Sequence, residues 1–262
     1  MKRIISSQLY QLSCSFSLIR IWLIMAAAMA GLGIVNCATS EHARNAGAMI
    51  IEGDGILWMF QLMFMGVMVG TICAGDFKEK DLNYELMSGH TRLSIYAGRV
   101  ILSVLITALA STFLSFMPVV SAAMVFGWGD KLDPFYMAVR IALFFFPFMR
   151  YAAFFSMLAF VIKKRWVIIV LGYISIVFCI IVSDIVTNKT AFITSVFNFM
   201  KLTDVESFSL YNVVPNAGVV SYSACNSSIG FELAMGTVAV SLVMTLVYLT
   251  AGYGFFRRDD LE

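Results

Sequence analysis

Long apolar runs separated by short charged clusters organise this chain. A helix that crosses the hydrocarbon core of a bilayer needs about 20 mostly apolar residues. Six stretches approach or exceed that length: Leu18–Ala38, Gly55–Ala74, Val100–Phe126, Ile141–Ile162, Trp166–Ser183 and Leu233–Phe256. The expected fold is therefore all-α, a polytopic membrane protein with six transmembrane helices in a single domain over 1–262 (spans 18–38, 55–74, 100–126, 141–162, 166–183 and 233–256). The third span is long enough to tilt or to kink at Pro118, and the fifth is short. Ahead of the first, Ile5, Leu9, Leu12 and Phe16 recur at helical spacing, while Ser6, Ser7, Gln8, Gln11, Ser13 and Ser15 fill the other faces. That pattern predicts an amphipathic helix over 1–17, lying in the interface with Lys2 and Arg3 near anionic headgroups.

Two connections keep an apolar pattern of their own. The loop 75–99 is dense in charge, yet Leu82 and Leu86 stand one helical turn apart behind Phe77, and Ser88 and Gly89 end that helix. A second helix is expected to start near Thr91 and run into the third span. A short surface helix with Phe, Leu and paired charges suits docking into a groove on a partner; a solvated connector is the plainer reading. In the segment 184–232, Phe192, Val196, Phe199 and Met200 share a helical face, and Pro215 and Gly218 break any longer helix. This segment is expected to cap the bundle from outside.

Composition agrees with the membrane reading. The chain is 60% hydrophobic and 13% charged, with a mean hydropathy of +0.87, whereas a soluble domain carries about 25% charged residues. A net charge of +2 without a basic run gives no sign of nucleic-acid binding. Orientation follows from the basic residues, which cytoplasmic loops retain. Lys2, Arg3, Arg20, Lys78, Lys80, Arg92, Arg99, Lys163, Lys164, Arg165, Arg257 and Arg258 fall on one side. Arg44, Lys131, Lys189 and Lys201 fall on the other, with Arg140 at its edge. Both termini are thus expected in the cytoplasm. A cleaved signal peptide is the rival for the first span, but its polar lead-in is long and cleavage would leave an odd number of crossings.

Chemistry-bearing motifs are sparse. There is no GxxxxGK[ST] phosphate loop, no HExxH and no GxSxG. His42 and His90 are expected on opposite sides of the membrane, and no metal site or catalytic residue is expected. The five cysteines, Cys14, Cys37, Cys73, Cys179 and Cys225, are scattered and read as small apolar residues, with a bridge between Cys37 and Cys225 left open. Arg150 is the one ionisable group expected inside a span. It would face a cavity and bind an anionic group, pair with a carboxylate such as Asp184, or brace helices through carbonyls freed by Pro147. Met59, Met63, Met65 and Met68 form a Met-rich wall on the second span, suited either to packing or to a greasy substrate path, of which Met59 and Met63 are the candidates. Gly33, Gly66, Gly70, Gly172, Gly236 and Gly252 permit close helix approach, and Gly66 with Gly70 matches the GxxxG dimer pattern.

The run Asp76 Phe77 Lys78 Glu79 Lys80, Leu82 Asn83 Tyr84 Glu85 Leu86, Ser88 Gly89 His90 Thr91 Arg92, Ile95 Tyr96 and Gly98 Arg99 resembles the cytoplasmic loop of ABC-2 type permeases. It is particularly similar to the small bacterial peptide-export and bacteriocin-immunity group, whose loop passes from an acidic-aromatic pair through "GT" to "S-G-x-x-R-x-x-x-Y-x-x-K". Here the "GT" is replaced around Asp81 and Leu82, and the final Lys is Arg99. The ending Phe255 Phe256 Arg257 Arg258 Asp259 Asp260 Leu261 is similar to the family's "F-x-R-R-D-L". The resemblance implies the type V ABC exporter layout: an elbow helix at 1–17, a coupling helix within 75–99 and an extracellular helical segment at 184–232. It also implies that Asp76, Phe77, Lys78, Glu79, Leu82, Glu85, Leu86, His90 and Arg92 grip an ABC ATPase subunit. The chain itself would hold no cofactor, ATP and Mg being bound by that ATPase. A second permease copy or a related chain would complete the transporter in a bacterial plasma membrane. An ion-coupled carrier or channel, and a non-transporting scaffold, are the alternatives.

Overall fold

The computed structural model describes residues 6, 10, 16–39, 55–79, 87, 89, 91–129, 134–164, 166–174 and 231–258. Among them the secondary structure is helical and no strand occurs. The helices are α1 (Phe16–Thr39), α2 (Gly55–Glu79), α3 (Arg92–Phe126), α4 (Pro134–Leu143), α5 (Phe145–Ile162) and α6 (Phe231–Arg258). Residues 166–174 are helical as well. Leu18–Thr39, Arg92–Phe126, Phe145–Ile162 and Met235–Arg258 are long and apolar enough to cross a membrane, and Gln61–Cys73 is a shorter apolar run within α2. The described chain thus has the make-up of a helical membrane protein. Of the expected interfacial helix, Ser6, Tyr10, Phe16 and Ser17 are described as helical, and the first three are exposed. The segment 184–232 up to residue 230, and with it Asp184 and Cys225, lies outside the described residues.

Local chemistry explains two boundaries. At the start of α3, Thr91 sits in extended backbone (φ −72°, ψ 145°), and its side-chain oxygen accepts from the Ser94 N–H at 3.3 Å. Such a cap satisfies one of the orphan donors of the first turn. Between α4 and α5 the helix breaks at Phe144, inside the expected span 141–162. Pro147 accounts for it: its ring has no N–H for the carbonyl of Leu143, four residues back, and would collide with it. Pro118 lies inside α3, which nevertheless continues for 35 residues.

α3 is the spine, touching α1, α2, α5 and α6, while α6 lies along α5. Aromatic pairs Phe154–Tyr248 and Phe160–Phe256 run in step, so α5 and α6 are parallel. Tyr96 meets Tyr253 and Arg92 meets Arg257, so α3 runs antiparallel to both. Glycines set the closest approaches. A Cβ on Gly33 would come 2.6 Å from the Cα of Pro118, so α1 and α3 cross backbone to backbone there, and Ser121 Oγ donates to the Ala30 carbonyl at 2.9 Å beside it. Phe155 fills a slot between Gly66 of α2 and Gly172 of the 166–174 stretch. Gly66 is thus occupied within the chain rather than offered to a second copy. The main core joins α2, α3, α5 and α6 around Met65, Val104, Phe148 and Phe160; a smaller cluster of Leu18, Phe64, Met68 and Leu114 seats α1.

Candidate functional site

Every fourth residue along one face of α3 is polar: Arg99, Ser103, Thr107, Ser111 and Ser115. Each is at most 3% exposed. A spacing of four advances about 40° per step on a helix of 3.6 residues per turn, so the five form a gently winding seam. By the same count Ser103 and Thr107 lie within about 20° of the direction in which Tyr96 points. That direction is known: the Tyr96 ring lies 4.8 Å from Phe160 of α5 and 5.5 Å from Tyr253 of α6, between ring centroids. The seam therefore faces the α5–α6 pair, and at its far end it meets α2, where Gln61 Nε2 donates to the Ser111 carbonyl and to Ser115 Oγ, both at 2.7 Å.

Three hydroxyls of this seam behave unlike those elsewhere. A buried Ser or Thr in a helix ordinarily bonds the carbonyl one turn back. Thr71, Thr112, Ser115, Ser156 and Thr245 do so, at 2.6–3.2 Å. Ser103 Oγ, Thr107 Oγ1 and Ser111 Oγ are wholly buried and reach no partner among the described residues. The α5–α6 pair buries polar groups of its own: Arg150 on α5, 1% exposed with its guanidinium 5.5 Å from the Tyr151 ring centroid, and the stripe Thr237, Ser241 and Thr245 of α6. Heights agree. At about 1.5 Å per residue, Arg150 lies about 15 Å along α5 from Phe160, and Thr107 about 16 Å along α3 from Tyr96. Counting back four residues from the Phe154–Tyr248 pair sets Arg150 level with Met244 on α6.

A second feature closes the end of the bundle that carries Arg92, Lys163, Arg257 and Arg258. Tyr96, Phe160, Tyr253 and Phe256 pack ring on ring there. Tyr96 Oη donates to the Leu249 carbonyl at 2.7 Å, and Arg92 Nη1 donates to the Arg257 carbonyl at 3.2 Å. Gly252 makes room, since a Cβ on it would sit 2.6 Å from Tyr96 Oη. Helices α3, α5 and α6 are thereby joined at one end.

The residues expected from sequence are distributed as follows. Asp76, Phe77, Lys78 and Glu79 form the last turn of α2, so that helix runs on into the expected loop. Leu82, Glu85, Leu86 and His90 lie outside the described residues. Arg92 is the first residue of α3 and takes part in the clamp. Met59 is helical within α2, whereas Met63 is 47% exposed and points away from the core that holds Met65 and Met68. An apolar groove of about 360 Å³ runs between α1, α2 and α3 and is lined by Leu18, Trp22, Met68, Ile106, Leu109 and Phe113 among others. Arg150 is buried as expected of a residue inside a span, but it is not alone. Arg99, assigned from sequence to the loop, is buried too, and the seam beyond it went unread; the recurrence of Arg, Ser, Thr, Ser and Ser at every fourth position was the available signal. Cys37 is a buried free thiol. No protein-family model matches this chain, and no curated protein matches it either.

Proposed function

We propose that this chain is the membrane-spanning permease subunit of an ABC exporter, moving a hydrophobic or amphipathic substrate such as an antimicrobial peptide, a lipid or a drug outward with ATP hydrolysed by a separate ATPase. In this reading the chain crosses a bacterial plasma membrane six times with both termini in the cytoplasm, pairs with a second copy or a related permease, and presents 75–99 to the ATPase.

The observation that carries the reading is the continuity of α3. Its capped first turn directly follows the charged connection, the same helix extends 35 residues to Phe126, and its first turns are clamped to α6 by Arg92 and Tyr96. A push delivered at residues 80–90 would move α3, α5 and α6 as one lever rather than bend a loop. An equilibrium between two states shifts only through differential contact with the partner, and Leu82, Glu85 and Leu86 are where that contact is placed. The apolar groove beside Trp22 and Phe113 supports a greasy substrate.

The test is affinity purification of the intact chain from its native membrane. Wild type is expected to bring down a nucleotide-binding subunit in stoichiometric amount, and Glu85→Lys or Leu82→Ala with Leu86→Ala to lose it. Co-purification and transport untouched by these changes would sink the proposal.

The buried seam favours a second reading, an ion-coupled carrier or channel, because polar and ionisable groups at depth in a bundle mark solute paths. Transport by the chain alone, without an ATPase, would decide for it.

A further inference from the structure

We propose that the groove between α1, α2 and α3 holds one acyl chain of a membrane phospholipid, bound as a discrete ligand rather than as part of the bulk bilayer. The inference needs helices that cross a membrane, and neither a motor nor a transported solute. The floor of the groove is closed: Leu18 and Met68 are buried and cluster with Leu114. Its rims stand out, since Ile19 of α1 and Leu109 and Phe113 of α3 are exposed. A furrow with a closed floor and open rims faces sideways, out of the bundle, and its described lining is apolar throughout.

The depth of the groove decides what can enter it. Leu18–Thr39 and Arg92–Phe126 are both long and apolar enough to cross a membrane, and the lining from Ile106 to Phe113 straddles the middle of α3, about 20 Å along the helix from either end. An opening at that depth meets hydrocarbon, not water or a soluble partner. Lipid tails are as apolar as the lining, so entry gains no hydrophobic energy and is driven by van der Waals contact. A furrow left empty forfeits the contacts of its lining atoms. Its volume of about 360 Å³ lies at the low end of small-molecule sites, which span about 300–1,000 Å³. A neighbouring helix, about 10 Å across, is too wide for a furrow whose floor and rim belong to adjacent side chains such as Leu18 and Ile19. A single alkyl chain is narrow and flexible enough, and the bilayer phospholipid around these helices supplies it.

Trp22 is part of the lining and reports on occupancy. With Trp58, Trp128 and Trp166 replaced by Phe, the full chain in dodecylmaltoside micelles is titrated with phosphatidylcholine that carries a dibrominated acyl chain, because bromine quenches indole fluorescence on contact. Quenching of Trp22 is expected to saturate while lipid is still a minor component of the micelle. A chain that keeps Trp166 alone, exposed and outside the groove, should be quenched in proportion to lipid content. Ala110→Phe fills the groove, and Phe113→Ala strips an exposed rim and leaves the buried core intact. Each is expected to abolish the saturable quenching of Trp22. Quenching of Trp22 in proportion to lipid content, saturation unchanged in both variants, or no quenching at all, as when a second copy covers the groove, would overturn the proposal.

Discussion

The clamp and the seam are made by the same three helices, α3, α5 and α6, and lie only about 10 Å apart along α3 from Tyr96 to Ser103. At the clamp, Tyr96 Oη and Arg92 Nη1 each donate to a carbonyl of α6, and four aromatic rings fill the space between them. In the seam, the equally buried hydroxyls of Ser103, Thr107 and Ser111 reach no partner among the described residues. Rings and satisfied donors make the first a joint that resists separation. Unsatisfied donors make the second a surface that gains from separation, provided that a ligand or water enters. Adjacent regions of one interface therefore differ in how firmly they hold together.

Substitutions can break that contrast, in decreasing order of effect. Tyr96→Ala removes a ring with three aromatic neighbours and a hydrogen bond. It is expected to cost about 3–5 kcal/mol, the scale of truncating a buried aromatic, and to lower the unfolding temperature of the reconstituted protein accordingly. Gly252→Ala places a methyl against Tyr96 Oη and is expected to cost about 1–3 kcal/mol by overpacking; its unfolding transition should shift in the same direction, less far. The sharpest comparison has the smallest effects. Tyr96→Phe keeps the ring, loses one made hydrogen bond and should destabilise by about 0.6–1 kcal/mol. Thr107→Val removes a hydroxyl that bonds nothing among the described residues, so it should be neutral or stabilising by up to about 1 kcal/mol. Side-by-side unfolding of the two variants measures this directly. If Thr107→Val destabilises as much as Tyr96→Phe does, the two regions are alike and the distinction fails.

Much of the helical framework was legible because it depends on short stretches of chain. Runs such as Leu18–Ala38 and Leu233–Phe256 announce themselves by length and apolarity, and they lie within α1 and α6. The start expected near Thr91 was readable from a capping residue ahead of an apolar run, and the structure puts the cap there. Other features were not. Pro147 was visible, but that it would divide the expected span 141–162 at Phe144 needed the backbone geometry of the turn before it. Arg99 was counted among loop charges because a lone Arg at the edge of an apolar run belongs in water on average. Its burial is conferred by the helices around it. Met63 and Met65 are indistinguishable by type, yet one is half exposed and the other wholly buried. Gly66 matches a GxxxG pattern that by itself names no partner; the structure shows that it receives Phe155 from the same chain.

Sequence alone marked out the stretches that hold the four helices long and apolar enough to cross a membrane, since those properties arise from each segment's own side chains and backbone hydrogen bonds. Only the tertiary structure decided which faces meet: that α3 turns its Ser and Thr stripe toward α5 and α6, that Gly252 admits Tyr96, and that two arginines lie inside the bundle. A helix carries its periodicity in its sequence, but the direction of a face, and so the burial of a hydroxyl or a guanidinium, belongs to its neighbours.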